Sequence, residues 1–153
     1  FHHFIVNHMV VGFVLLIYGY GIARQSPVVL WTPPAAMRHL AMLLLLPVFP
    51  LLLAAYLPGR IKSAAKHPML LAVTLWAAAH LLSNGSAADV LLFGGFLVWA
   101  VADRISFKRR TQRPVPGAPP SAANDAIAVV AGLVVYGLFV WRAHAWLVGV
   151  SPM

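Results

Sequence analysis

The sequence predicts an all-α fold: a polytopic transmembrane helical bundle with about five spans visible. Three observations lead there. Of 153 residues, 61% are hydrophobic and only 9% are charged, about a third of the ~25% charge of a soluble domain. A water-facing surface wants roughly 25–35% charged residues, so this chain would aggregate in water. The apolar residues also fall in continuous runs, close to the ~20 residues that cross a bilayer. Barrel strands would alternate instead, and a backbone in lipid must pair its own polar groups, which leaves helices.

The first span is expected at about 4–23, with no basic flank or small-residue cleavage site of a signal peptide. The second, about 39–57, contains Pro47 and Pro50, which should kink or locally widen it. The third, about 68–83, opens on Pro68, suited to a first helical turn. Ser83-Asn84-Gly85-Ser86 is a turn cluster that folds it tightly onto the fourth span, about 87–102. The fifth, about 126–150, is interrupted by Arg142 and His144 and has Asn124 or Asp125 as its expected N-cap. Residues 1–153 read as a single integral membrane domain, with 103–124 a cytoplasmic basic loop whose Pro-rich part, 113–123, should be an extended, exposed linker. The sequence starts at Phe1, and one more N-terminal span is expected before it.

Charge orients the bundle. Segments 58–67 and 103–124 hold Arg60, Lys62, Lys66, Arg104, Lys108, Arg109, Arg110 and Arg113, against Arg24 and Arg38 on the other side. Eight against two places both basic loops and the N-terminal end on the cytoplasmic side of the membrane, and the C-terminus on the outer side. The run Lys108-Arg109-Arg110 then reads as an orientation signal touching anionic lipid, and no nucleic-acid partner is expected. The remaining composition excludes chemistry. Three Asp and no Glu leave no carboxylate pair within a segment, and the absence of Cys removes thiolate catalysis and Cys-bound metals. The seven His fall in no repeated box of a dinuclear iron site, and no phosphate loop or nucleophile elbow occurs.

Histidine is what remains, because an ionisable group inside a span usually faces a cavity, partner or cofactor. His80 lies near the outer end of the third span, on a face shared with Trp76, Ala77, Val73 and Met69. Such a face suits a flat cofactor whose metal, haem iron or the magnesium of a chlorophyll-type pigment, accepts a neutral imidazole. An interfacial His bonded to a neighbouring helix suits it equally. His67 lies about 19 Å away along the helix and cannot share a metal with His80; it reads as a helix cap or headgroup contact. His39 has the depth of His80, so it is either a second ligand or interfacial. His144, beside Arg142 and Trp146, reads as an interfacial anchor. His8 is followed by Gly12, which would let a macrocycle lie on the helix, and His2 and His3 read as interfacial. Asp103 and Arg104 end the fourth span and read as a structural pair or as partners of neighbours. Ala128 with Gly132, and Gly94-Gly95, make smooth patches for close helix packing.

These residues carry a resemblance. The stretch 56–110 resembles the NnrU family of bacterial membrane proteins, whose plant and cyanobacterial relatives include 15-cis-ζ-carotene isomerase. The pieces are His67-Pro68, the run LWAAAHLLSNG at 75–85, Asp103-Arg104, and upstream Tyr18-Gly-Tyr-Gly and Leu30-Trp-Thr-Pro-Pro. Together they cover residues 13–110. The resemblance implies a polytopic helical protein linked to denitrification and nitrogen-oxide metabolism. In the isomerase branch it implies a haem b that isomerises a carotene double bond. His80 matches a histidine that looks like an axial haem ligand in that branch. The branch's other ligand lies on an earlier helix, beyond the part seen here, and His39 is the substitute by depth.

Two functions compete. One is a haem-b protein acting on a carotenoid, with isomerase-like activity, or in nitrogen-oxide metabolism; its cofactor site would be His80, His39 and Trp76. The other is a non-catalytic accessory subunit of a larger respiratory or photosynthetic membrane complex, to which low acid content and smooth Gly/Ala faces are suited. A transporter ranks last, since paired intramembrane charges and repeats are lacking.

Overall fold

A computed structural model describes residues 2–111 and 116–152, with side chains from residue 8 onward. It is 72% helical, without strands among the described residues; one isolated bridge joins Val29 and Ser86. The elements are α1 (His2–Ala23), α2 (Ala36–Leu45), α3 (Val48–Ala54), α4 (Arg60–Ala65), α5 (Pro68–Ser83), α6 (Ala87–Ser106) and α7 (Ala123–Leu138). A π-helical stretch, Phe139–Ala143, then joins α7 to α8 (His144–Val148). Among the described residues, two helical runs are long and apolar enough to cross a membrane: Ala36–Ala54, 19 residues, and Ala123–Val148, 26 residues. His8–Ala23 and Pro68–Ser83 are shorter apolar helices, and α6 has 20 residues with Asp89, Asp103 and Arg104 near its ends.

Local chemistry explains most boundaries. Pro47, lacking an N–H, separates α2 from α3, but its carbonyl accepts from Leu51 N–H at 2.9 Å, so the run bends without ending. Pro68 occupies the first turn of α5. Ser86 and Asp89 form a reciprocal capping box that starts α6 straight after the Asn84-Gly85 turn. The start of α7 differs from expectation. Asn124 and Asp125 do not cap it; Asp125 reaches across to the start of α4 and Asn124 to the segment before it. The Asp125 carboxylate accepts from Arg60 N–H at 2.8 Å and Ile61 N–H at 3.0 Å, capping α4 in trans. Asn124 Nδ2 donates to Pro58 O at 2.8 Å. Gly59, the backbone N-cap of α4, leaves the space this carboxylate fills, since a Cβ there would collide with it.

α5 and α6 form the expected hairpin, α3 packs on α5 and α7, and α1 touches mainly α6. The core cluster is Val48, Leu51 and Ala72, flanked by Leu45, Leu75 and Trp76. Among the described residues, eight of the twelve buried apolar ones are Ala, whereas Leu91, Val98, Trp141 and Trp146 are exposed. Large side chains outside and small ones between helices is the packing used in lipid, where close backbone approach replaces the hydrophobic drive. Ala128 and Gly132 follow it, with Gly132 seated against Pro50. Gly94 and Gly95 meet nothing within 4 Å, so that smooth patch faces away from the chain.

The helix ends gather into two groups. At one, Leu30 and Trp31 N–H donate to Gly85 O, Ala87 N–H to Val28 O, and the Arg24 guanidinium to Val148 O. At the other, Ala118 N–H donates to Tyr56 O, and the Arg104 guanidinium donates to Ala65 O at 3.3 Å. The second group carries Arg60, Lys62, Lys66 and the run Lys108-Arg109-Arg110. The linker expected at 113–123 is irregular and exposed from 116 to 121; Arg113 lies outside the described residues, as do the side chains of His2 and His3.

Candidate functional site

Beneath the first group of helix ends lies a cavity of about 830 Å³, bounded by the end of α1, by α2, α3, α5 and α6, and by the α7–α8 run. Leu45, Val48, Leu52, Val73, Trp76 and Phe93 line its walls, and Tyr20, Arg24, Arg38, Asn84 and Asp89 supply polar groups. Among the described residues, the imidazoles of His80 and His144 line it.

α5 holds His80 in a fixed state. Its Nδ1 lies 2.8 Å from the carbonyl of Trp76, one helical turn back. A carbonyl can only accept, so Nδ1 carries the proton and Nε2 of the neutral ring keeps its lone pair. The ring stacks on Phe93 at 4.5 Å between centroids and leans on Trp76 at 5.1 Å. Trp76 in turn meets Phe93 and Phe96 edge-on, so its orientation is set by two rings on α6. Asn84 Nδ2 donates to the His80 carbonyl at 2.9 Å and closes the end of α5. The Asp89 carboxylate accepts from the Tyr20 hydroxyl at 2.6 Å, which ties α1 to the cavity rim, and from Ser86 Oγ at 2.6 Å.

His80 and Trp76 thus lie together, as their spacing predicts. His39 does not join them. It is exposed, in a separate shallow pocket with Ala35, Arg38 and Met42. His8 and Gly12 are likewise outside the cavity lining. His67 sits at the opposite helix ends, stacked on Phe107 at 4.4 Å. Burial, then the nearby Arg104 charge, holds its pKa below the ordinary 6.5. Asp103 and Arg104 do not pair with each other: Asp103 pairs with Arg110, and Arg104 bonds to Ala65 O with its second terminal nitrogen buried and unpartnered. His144, which the sequence reads as an interfacial anchor, lies in the cavity lining. Tyr136, Val140, His144 and Val148 recur every four residues and all line the cavity, a periodicity that could have drawn attention to it.

The fold and the cavity define an all-helical protein with membrane-length helices and a half-buried imidazole at a largely apolar pocket. The chain belongs to the NnrU protein family, whose model matches residues 4–152, well beyond the 13–110 marked by the motifs. No curated protein and no solved structure matches it.

Proposed function

We propose that this NnrU-family chain is an integral membrane protein of about five spans, with its basic end cytoplasmic, that binds haem b through His80. The observation that carries the proposal is the His80 ring: Nδ1 anchored on a backbone carbonyl, Nε2 without a hydrogen-bond partner among the described residues, at an apolar cavity. The cavity volume, about 830 Å³, lies within the roughly 300–1,000 Å³ of cofactor sites. A porphyrin is flat, apolar on both faces and carries two carboxylates. Leu45, Val48, Leu52 and Val73 would supply apolar walls, Trp76 and Phe93 would hold the His80 ring in place, and Arg24 and Arg38, both in the lining, would meet the carboxylates. Among the described residues no three His, Asp or Glu side chains cluster to hold a metal, and a macrocycle brings its own four equatorial nitrogens. Exposed large apolar side chains and an Ala-rich interior support the membrane reading.

Haem would supply a redox-active iron in a dry site, the protein supplying ligand, walls and orientation. A carotenoid as substrate, with isomerase-like activity, or a nitrogen oxide are the reactants in keeping with the family resemblance. A second reading, an accessory subunit of a respiratory or photosynthetic complex, is favoured by the exposed Gly94–Gly95 patch; there the same cavity would hold haem or a chlorophyll-type pigment. The deciding experiment is an absorption spectrum with pyridine haemochrome analysis, on protein purified from membranes in mild detergent. Haem b in the native protein and its loss in His80→Ala are expected. Native protein without haem overturns the proposal, and a magnesium pigment in its place supports the second reading.

A further inference from the structure

We infer that Asp89 is a proton site of the cavity, taking up one proton when the cofactor that His80 holds gains one electron. The inference rests on the haem reading above and goes beyond it, because it gives the pocket's acid a task. Of the chain's three carboxylate side chains, Asp103 pairs with Arg110 and Asp125 caps α4, both at the basic end. Asp89 is the third. It lines the cavity, is 8% exposed, and has no cation paired with it among the described residues. An acid held inside a membrane-spanning fold without a countercharge is costly and is ordinarily kept for function.

Its hydrogen bonds suit a group that changes charge. Oδ1 accepts from the Tyr20 hydroxyl at 2.6 Å, and Oδ2 accepts from Ser86 Oγ at 2.6 Å and Ser86 N–H at 3.2 Å. Both O–H···O distances are those of an ionised acceptor. The capping box of α6 accounts for the bonds at Oδ2, not for the one from α1. Two of the three donors are hydroxyls, which can turn from donor to acceptor, so the same partners serve the protonated acid with the backbone in place. Position supplies the coupling. Asp89 and Phe93 lie one turn apart on α6, about 6 Å. The Phe93 ring stacks on His80 at 4.5 Å and meets Tyr20 edge-on. A negative charge added beside His80 disfavours the nearby carboxylate anion in this apolar pocket. The proton comes from water by way of the half-buried Tyr20 hydroxyl, the electron from an external one-electron donor, and the net charge of the site is unchanged. Arg24, Arg38, His80, Tyr136 and His144 are the other ionisable groups of the lining among the described residues. The two arginines keep their charge throughout, which leaves His144 as the rival acceptor.

The test is the reduction potential of the haem-loaded chain in detergent, titrated with dithionite and mediators across the neutral pH range. Native protein is expected to show a slope approaching about 59 mV per pH unit over part of that range, a tenfold proton ratio against one electron. Asp89→Asn keeps the side chain's shape and an acceptor at the start of α6, and is expected to bind haem and lose the slope. Tyr20→Phe removes a donor to the anion, so Asp89 takes its proton at higher pH. The sloped region is then expected to move up by about one pH unit, the worth of one hydrogen bond. This variant serves if Asp89→Asn fails to accumulate. A purely structural Asp89 would alter melting in both variants and leave the slope in place. A pH-independent potential in native protein overturns the inference while the haem reading stands. So does a slope that survives in Asp89→Asn, which assigns the proton to His144 or to the haem carboxylates, and so does an unmoved region in Tyr20→Phe. Native protein without haem removes both.

Discussion

Gly132→Ala probes a close approach between two helices. Gly132 is buried on α7 and faces Pro50 on α3. A Cβ added there would fall 2.6 Å from Pro50 Cδ and 2.7 Å from Pro50 Cα. These atoms belong to a proline ring and the backbone, so neither can swing aside, and α7 must move off α3. Overpacking of this kind costs about 1–3 kcal/mol. Gly94 is the matched control, a helical glycine whose Cβ would meet nothing within 4 Å. Both substitutions gain a similar helix propensity, roughly 0.5–1 kcal/mol, so the difference between them isolates the steric term. For a chain of this length, each kcal/mol moves the midpoint by about 2–4 °C. Gly132→Ala should therefore melt roughly 2–12 °C below Gly94→Ala in thermal unfolding in detergent. Equal midpoints would refute the α3–α7 apposition.

Four more outcomes follow from the same geometry. Asp125→Ala should destabilise by about 0.5–2 kcal/mol, the worth of an N-cap, and protease should cut the 55–66 segment sooner, since the carboxylate caps α4 from α7. Tyr20→Phe removes the hydroxyl that α1 donates to Asp89 and should speed hydrogen exchange in α1, leaving α5 and α6 unchanged. Lys66 has φ of 60° and sits inside a tight turn closed by His67 N–H to Ala65 O at 2.7 Å. Lys66→Gly should therefore stabilise by about 1 kcal/mol in denaturant titration, and no gain would count against that backbone. His67, with its pKa below 6.5 when folded, stays neutral in the fold while the unfolded chain takes up a proton first. Stability should be full above the unfolded value and fall as pH drops through the folded one; His67→Gln should flatten this decline in midpoints measured between pH 7 and 5.

How much of this was legible follows from range. The third span, α5, was readable at both ends because Pro68 and the Ser83–Ser86 turn act on their own neighbours, and the second, proline-broken run for the same reason. His80 stood out since an imidazole on an apolar aromatic face is costly and local spacing alone puts Trp76 beside it. Asp125 misled, because a good capping residue serves whichever backbone N–H groups approach it, and those of Arg60 and Ile61 come from 64 residues or more away. Depth ranked His39 with His80, but depth does not say which way a helix face turns.

The sequence by itself determined the helical class, the apolar runs, the basic segments and one candidate ligand, all properties of composition or short-range periodicity. Only the tertiary structure decided that His144 and not His39 shares a cavity with His80, that Gly132 is packed and Gly94 open, and that Arg24 and Arg38 flank the same opening. The physical reason is rotational. A side chain's neighbours depend on the turn of its helix about its own axis, which packing sets for α2 and which a π turn, unmarked in the sequence, resets ahead of His144.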